Sequence, residues 1–574
     1  MQDAMNWLAR DPDPRTREEL QHLIDKKMHA EIEDRFTQRL EFGTAGLRGK
    51  VGCGPNRMNR LVIQETATGL GHYLIEHVAN AAIRGVVVGY DGRLDSKQFA
   101  IDTASVLTAL GIKVYLTANV AATPIVAFGI EHFNAAAAVV VTASHNPPEY
   151  NGFKVYWENG AQIIPPHDAG IADEIDVAST KPIPLISLSD AEKQGNLVWL
   201  TEGYYQTYRA AINQSPYVRN DIDSAHITVT YTAMHGVGAQ MAEDLLHDGG
   251  FHKVFSVAEQ REPDGHFPTV NFPNPEEKGA MDLVVNLAKS VDADIACAND
   301  PDADRFAVAV RTDDTVRTDE ASYKMLTGDQ VGVLFAHYLL SKPHTKNQLV
   351  GNSIVSSTLL EKVANSHGAT YFQTLTGFKW LANIGMQLED KDNEFLFAYE
   401  EALGYTIGTQ VRDKDGLSAL VVFAQLVEEL KSQGRTVWDL LAQISLEHGV
   451  HTNAQRSIAL DPDSPSIGSK LRSAQPKTIG GVTISVIEDL QSSLRYIVGG
   501  DTETINLPTS DVLIYHLQDG SRIIVRPSGT EPKVKVYYET VTKFEGSETY
   551  DEARQRGEEY TNNLIEQHQQ ELSA

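Results

Sequence analysis

Three side chains able to act as a nucleophile or to move a proton, Ser144, His145 and Lys154, share residues 139–154, VVVTASHNPPEYNGFK. The β-branched run ahead of Ser144 predicts a buried strand, and Pro147 and Pro148 cannot extend its ladder. Ser144 therefore stands where a strand opens into a loop. The carboxyl ends of strands in parallel α/β sheets are where ligands bind, which makes this hydroxyl a candidate nucleophile. A turn serine also serves simply to cap local backbone N–H groups; the neighbouring histidine and lysine favour chemistry. A second stretch, DPDADR at 300–305, alternates three carboxylates through a turn between apolar runs. Oxygen donors with little else suit Mg²⁺. An EF-hand is excluded, because the sixth position from Asp300 is Arg305 rather than Gly and the twelfth is Arg311 rather than Glu. A solvated acidic turn is the plain alternative. A third stretch, RPSGTEPK at 526–533, offers consecutive backbone N–H groups at Ser528, Gly529 and Thr530, with Arg526 adding a charge-assisted fork. That is an anion cradle without a P-loop motif, or a hairpin turn with an arginine beside it.

TASHNP followed by NGFK resembles the catalytic serine loop of the α-D-phosphohexomutase superfamily, the phosphoglucomutases and phosphomannomutases, whose serine carries a phosphoryl group. The likeness continues in order along the chain. EFGTAGLRG at 41–49, whose glycines allow a backbone wrapped around a ligand, resembles the family's GTAGxRG segment and implies that Arg48 faces the phosphoserine. DPDADR is similar to the family's DGDxDR loop, with Pro301 in place of Gly. The resemblance implies metal ligation by Asp300, Asp302 and Asp304 with an oxygen of phospho-Ser144, Arg305 offsetting part of the charge. TLTGFKW at 374–380 resembles a short Gly-Lys loop, implying phosphate contact through Gly377 and Lys379; it equally makes an ordinary turn. YEEALGY at 399–405 resembles the sugar loop: Glu400 matches its glutamate and Glu401 follows, suited to accept from sugar hydroxyls. Ala402 stands where that loop usually has serine, a departure shared with the long phosphoglucomutase/phosphopentomutase branch, to which the chain's length also corresponds. Lys414 in RDKDGL resembles a substrate-contacting lysine of glucose-specific members, and sits where a helix-entry surface lysine would. RPSGTEP resembles the phosphate-binding loop of the family's last domain.

These resemblances imply an intramolecular phosphotransferase, an isomerase that interconverts a sugar 1-phosphate and 6-phosphate through a phosphoserine and a sugar bisphosphate. Glucose phosphate is the preferred substrate, with phosphomannomutase and phosphopentomutase activity as alternatives. They imply Mg²⁺ as cofactor and a sugar 1,6-bisphosphate as priming activator. Lys154, with His145, would handle the proton of the attacking or leaving hydroxyl. A serine phosphatase would share the serine, carboxylates and arginines but need no second phosphate grip. A catalytically silent sugar-phosphate-binding protein is the alternative from another class.

The elements that must position these residues read as α/β. Strand-length apolar runs alternate with helix-length ones from Gly85 onward, and the same grammar returns near 226 and 348. This predicts three similar tandem α/β domains with mostly parallel sheets. The last portion, with short strand patterns around Ile484, Tyr496 and Leu513 and a helical tail from Tyr550, predicts a smaller C-terminal α+β domain beyond a Pro- and Ser-rich linker at 461–470. The divisions fall at 1–215 with the serine loop, 216–325 with the metal loop, 326–455 with the sugar loop and 456–574 with the phosphate loop, around a central cleft. A leading helix pair is expected within the first forty residues. The 49 basic and 77 acidic side chains among 574 residues leave −28, which argues against nucleic-acid and anionic-membrane partners. Cys53 and Cys297 are too few for a disulfide framework and suit a reducing cytosol. Residues 1–10 carry acidic groups and no apolar core, so no signal peptide is read and a cytoplasmic location is expected.

Overall fold

The computed structural model describes the chain apart from residues 45, 313–321, 460–466, 528–532, 546 and 574. It divides into two compact units. The first holds residues 1–326, 378–387 and 395–432; the second holds 327–377, 388–394 and 433–574.

The first unit opens with three short helices, Gln2–Arg10, Pro14–Asp25 and His29–Phe36, where the sequence suggested two. Pro14 enters its helix at the first turn, and the break near Lys27 comes with a left-handed backbone there (φ 53°). A six-stranded sheet follows. Val86–Tyr90, Val114–Thr117, Ala137–Val141 and Leu197–Leu200 pair in parallel, while Tyr150–Trp157 runs antiparallel beside Ala137–Val141 and carries Leu47–Lys50 at its outer edge. Every residue of Val86–Tyr90 and Ala137–Val141 is buried, the continuous apolar run of strands covered on both faces. A second sheet repeats the plan. Val229–Thr232, Val254–Ser256 and Ile295–Ala298 are parallel, and Ala307–Arg311 turns back antiparallel on Ile295–Ala298. The first unit also contains the hairpin of Asn393–Glu400 and Gly404–Ile407 from residue 395 on, and the buried helix Gly416–Ser432.

In all three cases the site-bearing loop joins two antiparallel strands: 142–149 in the first sheet, 299–306 in the second, 401–403 in the hairpin. An α/β sheet that is parallel at its centre thus ends in a hairpin whose tip is free for chemistry.

The second unit contains the parallel pair Asn347–Ser353 and Thr370–Thr374 and an eight-stranded antiparallel sheet spanning Val450 to Thr542. Ile484, Tyr515, Ile523, Val536 and Tyr538 of that sheet pack against Leu564 and Ile565 of helix Tyr550–Ser573. Part of the expected linker lies outside the described residues; the remainder begins helix Ile467–Ser473. Buried Glu539 accepts hydrogen bonds from Ser357 Oγ (2.6 Å) and Thr358 N (2.9 Å) and pairs with Arg522 at 2.9 Å. Within this unit it ties the loop after Asn347–Ser353 to the antiparallel sheet.

Candidate active site

Ser144 is buried and holds a left-handed backbone (φ 52°), a conformation that costs an L-residue about 1 kcal/mol and persists only where surroundings impose it. Ser144 N donates to Thr142 Oγ1 at 2.8 Å. Gly152 on the returning strand is required, since a Cβ there would meet Thr142 O at 2.5 Å. The Ser144 hydroxyl donates to Asp300 Oδ2 at 2.8 Å and lies 3.2 Å from His145 Nδ1. Two loops 156 positions apart in sequence thus meet at one oxygen.

Asp300, Asp302 and Asp304 are all buried, and one oxygen from each lies within 4.8 Å of the others. Ala303, left-handed at φ 55°, makes the turn that brings them together. Lys154 Nζ donates to Asp302 Oδ2 (2.7 Å) and Asp304 Oδ2 (2.9 Å), and Thr123 Oγ1 donates to Asp302 Oδ2 at 2.7 Å. Asp302 Oδ1 and Asp304 Oδ1 are buried without a hydrogen-bond partner among the described residues. Buried oxygens left this way ask for a ligand, and a hard cation among three carboxylates supplies one, so the donor set fits a metal ion.

The charges sort themselves accordingly. Burial, with Asp302 and Asp304 beside it, pushes Asp300 well above the usual carboxylate range. Burial acts on Asp302 in the same direction, but Lys154 and the bonds to Asp300 and Thr123 prevail and hold it below that range. Burial disfavours the Lys154 ammonium, yet Asp302 and Asp304 outweigh it and raise its pKa. Burial, then Arg305 and Arg48, press His145 down to about 2, leaving a neutral imidazole at physiological pH.

Arg48 lies on strand Leu47–Lys50 opposite Gly152, exposed, and donates from Nη1 to Asn146 Oδ1 at 3.0 Å. Arg305 gives its backbone N–H to Asp300 Oδ1 (2.9 Å) while its guanidinium faces Glu276 at 3.4 Å. The tip of the Glu400 hairpin docks on the same loop: Phe306 N donates to Leu403 O at 3.1 Å, and Arg305 bridges to Gly404. Glu400 ends its strand opposite Gly404, and Glu401 and Ala402 follow, half-buried. Lys414 is no surface residue. Its Nζ lies 3.3 Å from Asp304 and 3.2 Å from Asp413, and its stem passes so close to Gly404 that a Cβ there would come within 2.4 Å. Asp413 is held in turn by Tyr156 OH at 2.6 Å. Lys379 Nζ donates to Thr44 Oγ1 beside Arg48's segment. Gly377, at φ 108°, belongs to the second unit. So does Arg526, half-buried on strand Arg522–Pro527 opposite Lys535; Ser528, Gly529 and Thr530 lie outside the described residues. Thr123, Asp413 and Tyr156 went unnoticed in the sequence. Only the Thr-Pro pair opening helix Thr123–Phe133 offered a signal, as a helix start.

A hydroxyl at a strained turn, facing buried carboxylates that are partly matched by lysines, defines an α/β enzyme that handles an anionic group at a serine. The particular family follows from four family models that match in order: phosphoglucomutase/phosphomannomutase alpha/beta/alpha domains I, II and III at residues 39–181, 205–313 and 327–446, and the C-terminal domain at 479–555. The chain belongs to the phosphoglucomutase/phosphomannomutase family and is an intramolecular phosphotransferase. Among its relatives, a Schizosaccharomyces pombe protein named "Probable phosphoribomutase" is 35% identical over 92% of this chain and 92% of its own. A Haemophilus influenzae protein named "Probable phosphomannomutase" is 39% identical over 84% of this chain and 92% of its own. Of solved structures, the open form of the Paramecium phosphoglucomutase pp63/parafusin shares the fold, with a TM-score of 0.65 at 20% identity over 91% of this chain and 95% of that one. No helix among the described residues is long and apolar enough to cross a membrane.

Proposed function

We propose that the protein interconverts the 1- and 6-phosphates of a hexose, glucose first, with Ser144 as the phosphoryl carrier. The observation that carries this is the meeting of Ser144 Oγ with Asp300 at 2.8 Å, in a cluster that also holds Lys154. Phospho-Ser144 gives its phosphoryl group to the free hydroxyl of a bound sugar monophosphate: the Oγ–P bond breaks and a P–O bond to the sugar forms. The sugar bisphosphate then turns end for end, and its other phosphate returns to Ser144. Lys154, kept protonated by Asp302 and Asp304, gives a proton to Oγ as it leaves and receives the one released by the sugar hydroxyl. Neutral His145, in reach of Oγ, orients the hydroxyl. Asp300, Asp302 and Asp304, with a phosphoserine oxygen, would hold Mg²⁺. That ion, when bound, neutralises charge developing on the transferring group, which matters more in phosphoryl transfer than covalent work by the protein. Arg48 and Arg305 add to the same neutralisation. Glu400 and Glu401 accept from sugar hydroxyls, and Gly377 and Lys379 contact substrate phosphate. The loop of Arg526, Ser528, Gly529 and Thr530 takes the phosphate that is not reacting, whose binding energy positions the reacting end. A sugar 1,6-bisphosphate would prime an unphosphorylated chain.

Support for glucose comes from Lys414, which matches a lysine of glucose-specific members and stands half-buried 3.3 Å from Asp304. A pentose 1-/5-phosphate is the second reading, favoured by the name of the fission yeast relative. Glucose, mannose and ribose 1-phosphates assayed side by side separate these, and glucose is expected to give the highest kcat/KM. Ser144→Ala removes the Oγ that is to carry the phosphoryl group and is expected to lower turnover by at least about 1000-fold with the fold unchanged. Substantial activity in that variant would refute the assignment; inorganic phosphate as the main product would indicate a phosphatase.

A further inference from the structure

Arg93 closes the YDGR segment after strand Val86–Tyr90, a segment with no part in the mechanism above, and its guanidinium lies against the serine turn. Nη2 donates to the carbonyl oxygens of Ser144 (2.7 Å) and Asn146 (2.5 Å), and Nη1 to those of Pro147 (2.9 Å) and Tyr150 (3.0 Å). Nε lies 3.3 Å from Asp91, and the ring of Phe267 covers the guanidinium at 5.0 Å. Arg93 is only 4% exposed. Asp91 is fixed as well, accepting from Arg93 N at 3.0 Å and Ser96 Oγ at 2.6 Å.

Pro147 and Pro148 bring carbonyls to this turn but no N–H groups, so the turn carries more acceptors than donors of its own. One buried guanidinium makes up the deficit. Its planar fork offers five N–H groups in fixed directions, whereas a lysine offers three from a single point and cannot span four carbonyls. Among the described residues, every hydrogen bond and ion pair of the Arg93 side chain goes to this turn or to Asp91, which separates it from general core packing.

We propose that Arg93 is a positioning residue for phosphoryl transfer: by gathering the carbonyls of residues 144, 146, 147 and 150 it holds Ser144 in its left-handed conformation, with Oγ aimed at the acidic triad. The proposal rests on Ser144 being the phosphoryl carrier. Phe267 acts as the lid of the same clamp, keeping water from the four bonds.

The test uses the full chain with Arg93→Lys and Arg93→Ala. Four readouts are followed: steady-state constants, the rate at which glucose 1,6-bisphosphate loads phosphate onto the protein by intact mass, hydrogen exchange over residues 144–150, and rescue of Arg93→Ala by added guanidinium. Misplacing a reacting atom by about 1 Å costs on the order of 100-fold, so kcat and loading should fall about that much in Arg93→Lys while KM stays within about threefold. Exchange over 144–150 should quicken with that over 300–305 unchanged, and guanidinium should restore part of the loading of Arg93→Ala. Wild-type exchange over 144–150, or kcat within about threefold of wild type, overturns the proposal. Should both variants fail to fold, Phe267→Leu, which removes only the covering ring, is read by the same exchange and loading criteria. A wild-type protein that takes up no phosphate at Ser144 refutes the phosphoserine assignment instead, and the exchange arm still decides whether Arg93 holds the turn.

Discussion

Thr123 reaches from the first turn of its helix to Asp302, a residue 179 positions further along the chain. Its hydroxyl shares Oδ2 of that carboxylate with Lys154, while Oδ1 has no hydrogen-bond partner among the described residues, which leaves it to face a metal ion. Such outer partners of metal ligands typically set metal affinity by about 10–100-fold. Thr123→Val, which keeps the shape and removes the bond, is therefore expected to weaken Mg²⁺ or Mn²⁺ binding about tenfold in calorimetric titration with the fold intact; unchanged affinity would show that Asp302 needs no such brace. The contrast with Ser144, Lys154 and the three aspartates explains what the sequence made readable. Those residues stand in short runs whose spacing alone proposes a job. Thr123, Asp413 and Arg93 act on partners that lie close only after folding: Tyr156 and Asp413 are 257 positions apart, and Arg93 binds carbonyls more than 50 positions away. Nothing local marks them.

At the level of strands and turns, the alternation of apolar runs identified three α/β repetitions, because a strand buried on both faces is apolar throughout and announces itself. Direction was not visible in the same way. Hydrophobic periodicity says that Tyr150–Trp157 and Ala307–Arg311 are strands, but it carries no sign of whether they run with or against their neighbours. Antiparallel pairing decides how tightly the site loops can turn, and it places demands on single residues. Gly152 pairs with Arg48 and passes Thr142 so closely that any side chain would collide with backbone rather than with a mobile tip. Gly152→Ala is expected to lose about 1–3 kcal/mol in urea unfolding of the first unit and to lower kcat through displacement of the serine turn. Wild-type stability together with wild-type kcat would mean that the two strands have more room than the structure gives them. The extra helix at the start had a local cause, the left-handed residue at Lys27, which no apolar spacing reveals.

Taken whole, the molecule carries −28 charges, and two histidines of the second unit should contribute a distinct part of its acid response. In the second unit, burial and the neighbouring His367 hold His337 down to about 4, and burial alone holds His568 down to about 4, where Tyr538 OH lies 3.0 Å from its Nδ1. The folded form thus prefers both rings neutral, so their contribution to stability is complete above about pH 6.5 and is lost as pH falls towards 4. His568→Gln keeps a partner for Tyr538 without titrating; its unfolding midpoint should fall less steeply between pH 6.5 and 4 than that of wild type, measured by fluorescence in urea, and an identical slope would rule the ring out. The division into two units has a further consequence for how the protein can be made. The chain changes unit five times, at 326/327, 377/378, 387/388, 394/395 and 432/433. Neither part can be released by one cut or encoded as one uninterrupted fragment. A ribosome that has delivered the first 326 residues has still not supplied the Glu400 hairpin or the helix from Gly416. Early synthesis therefore leaves an unfinished half waiting for its last pieces, and a gene truncated at that boundary should yield a product prone to aggregate.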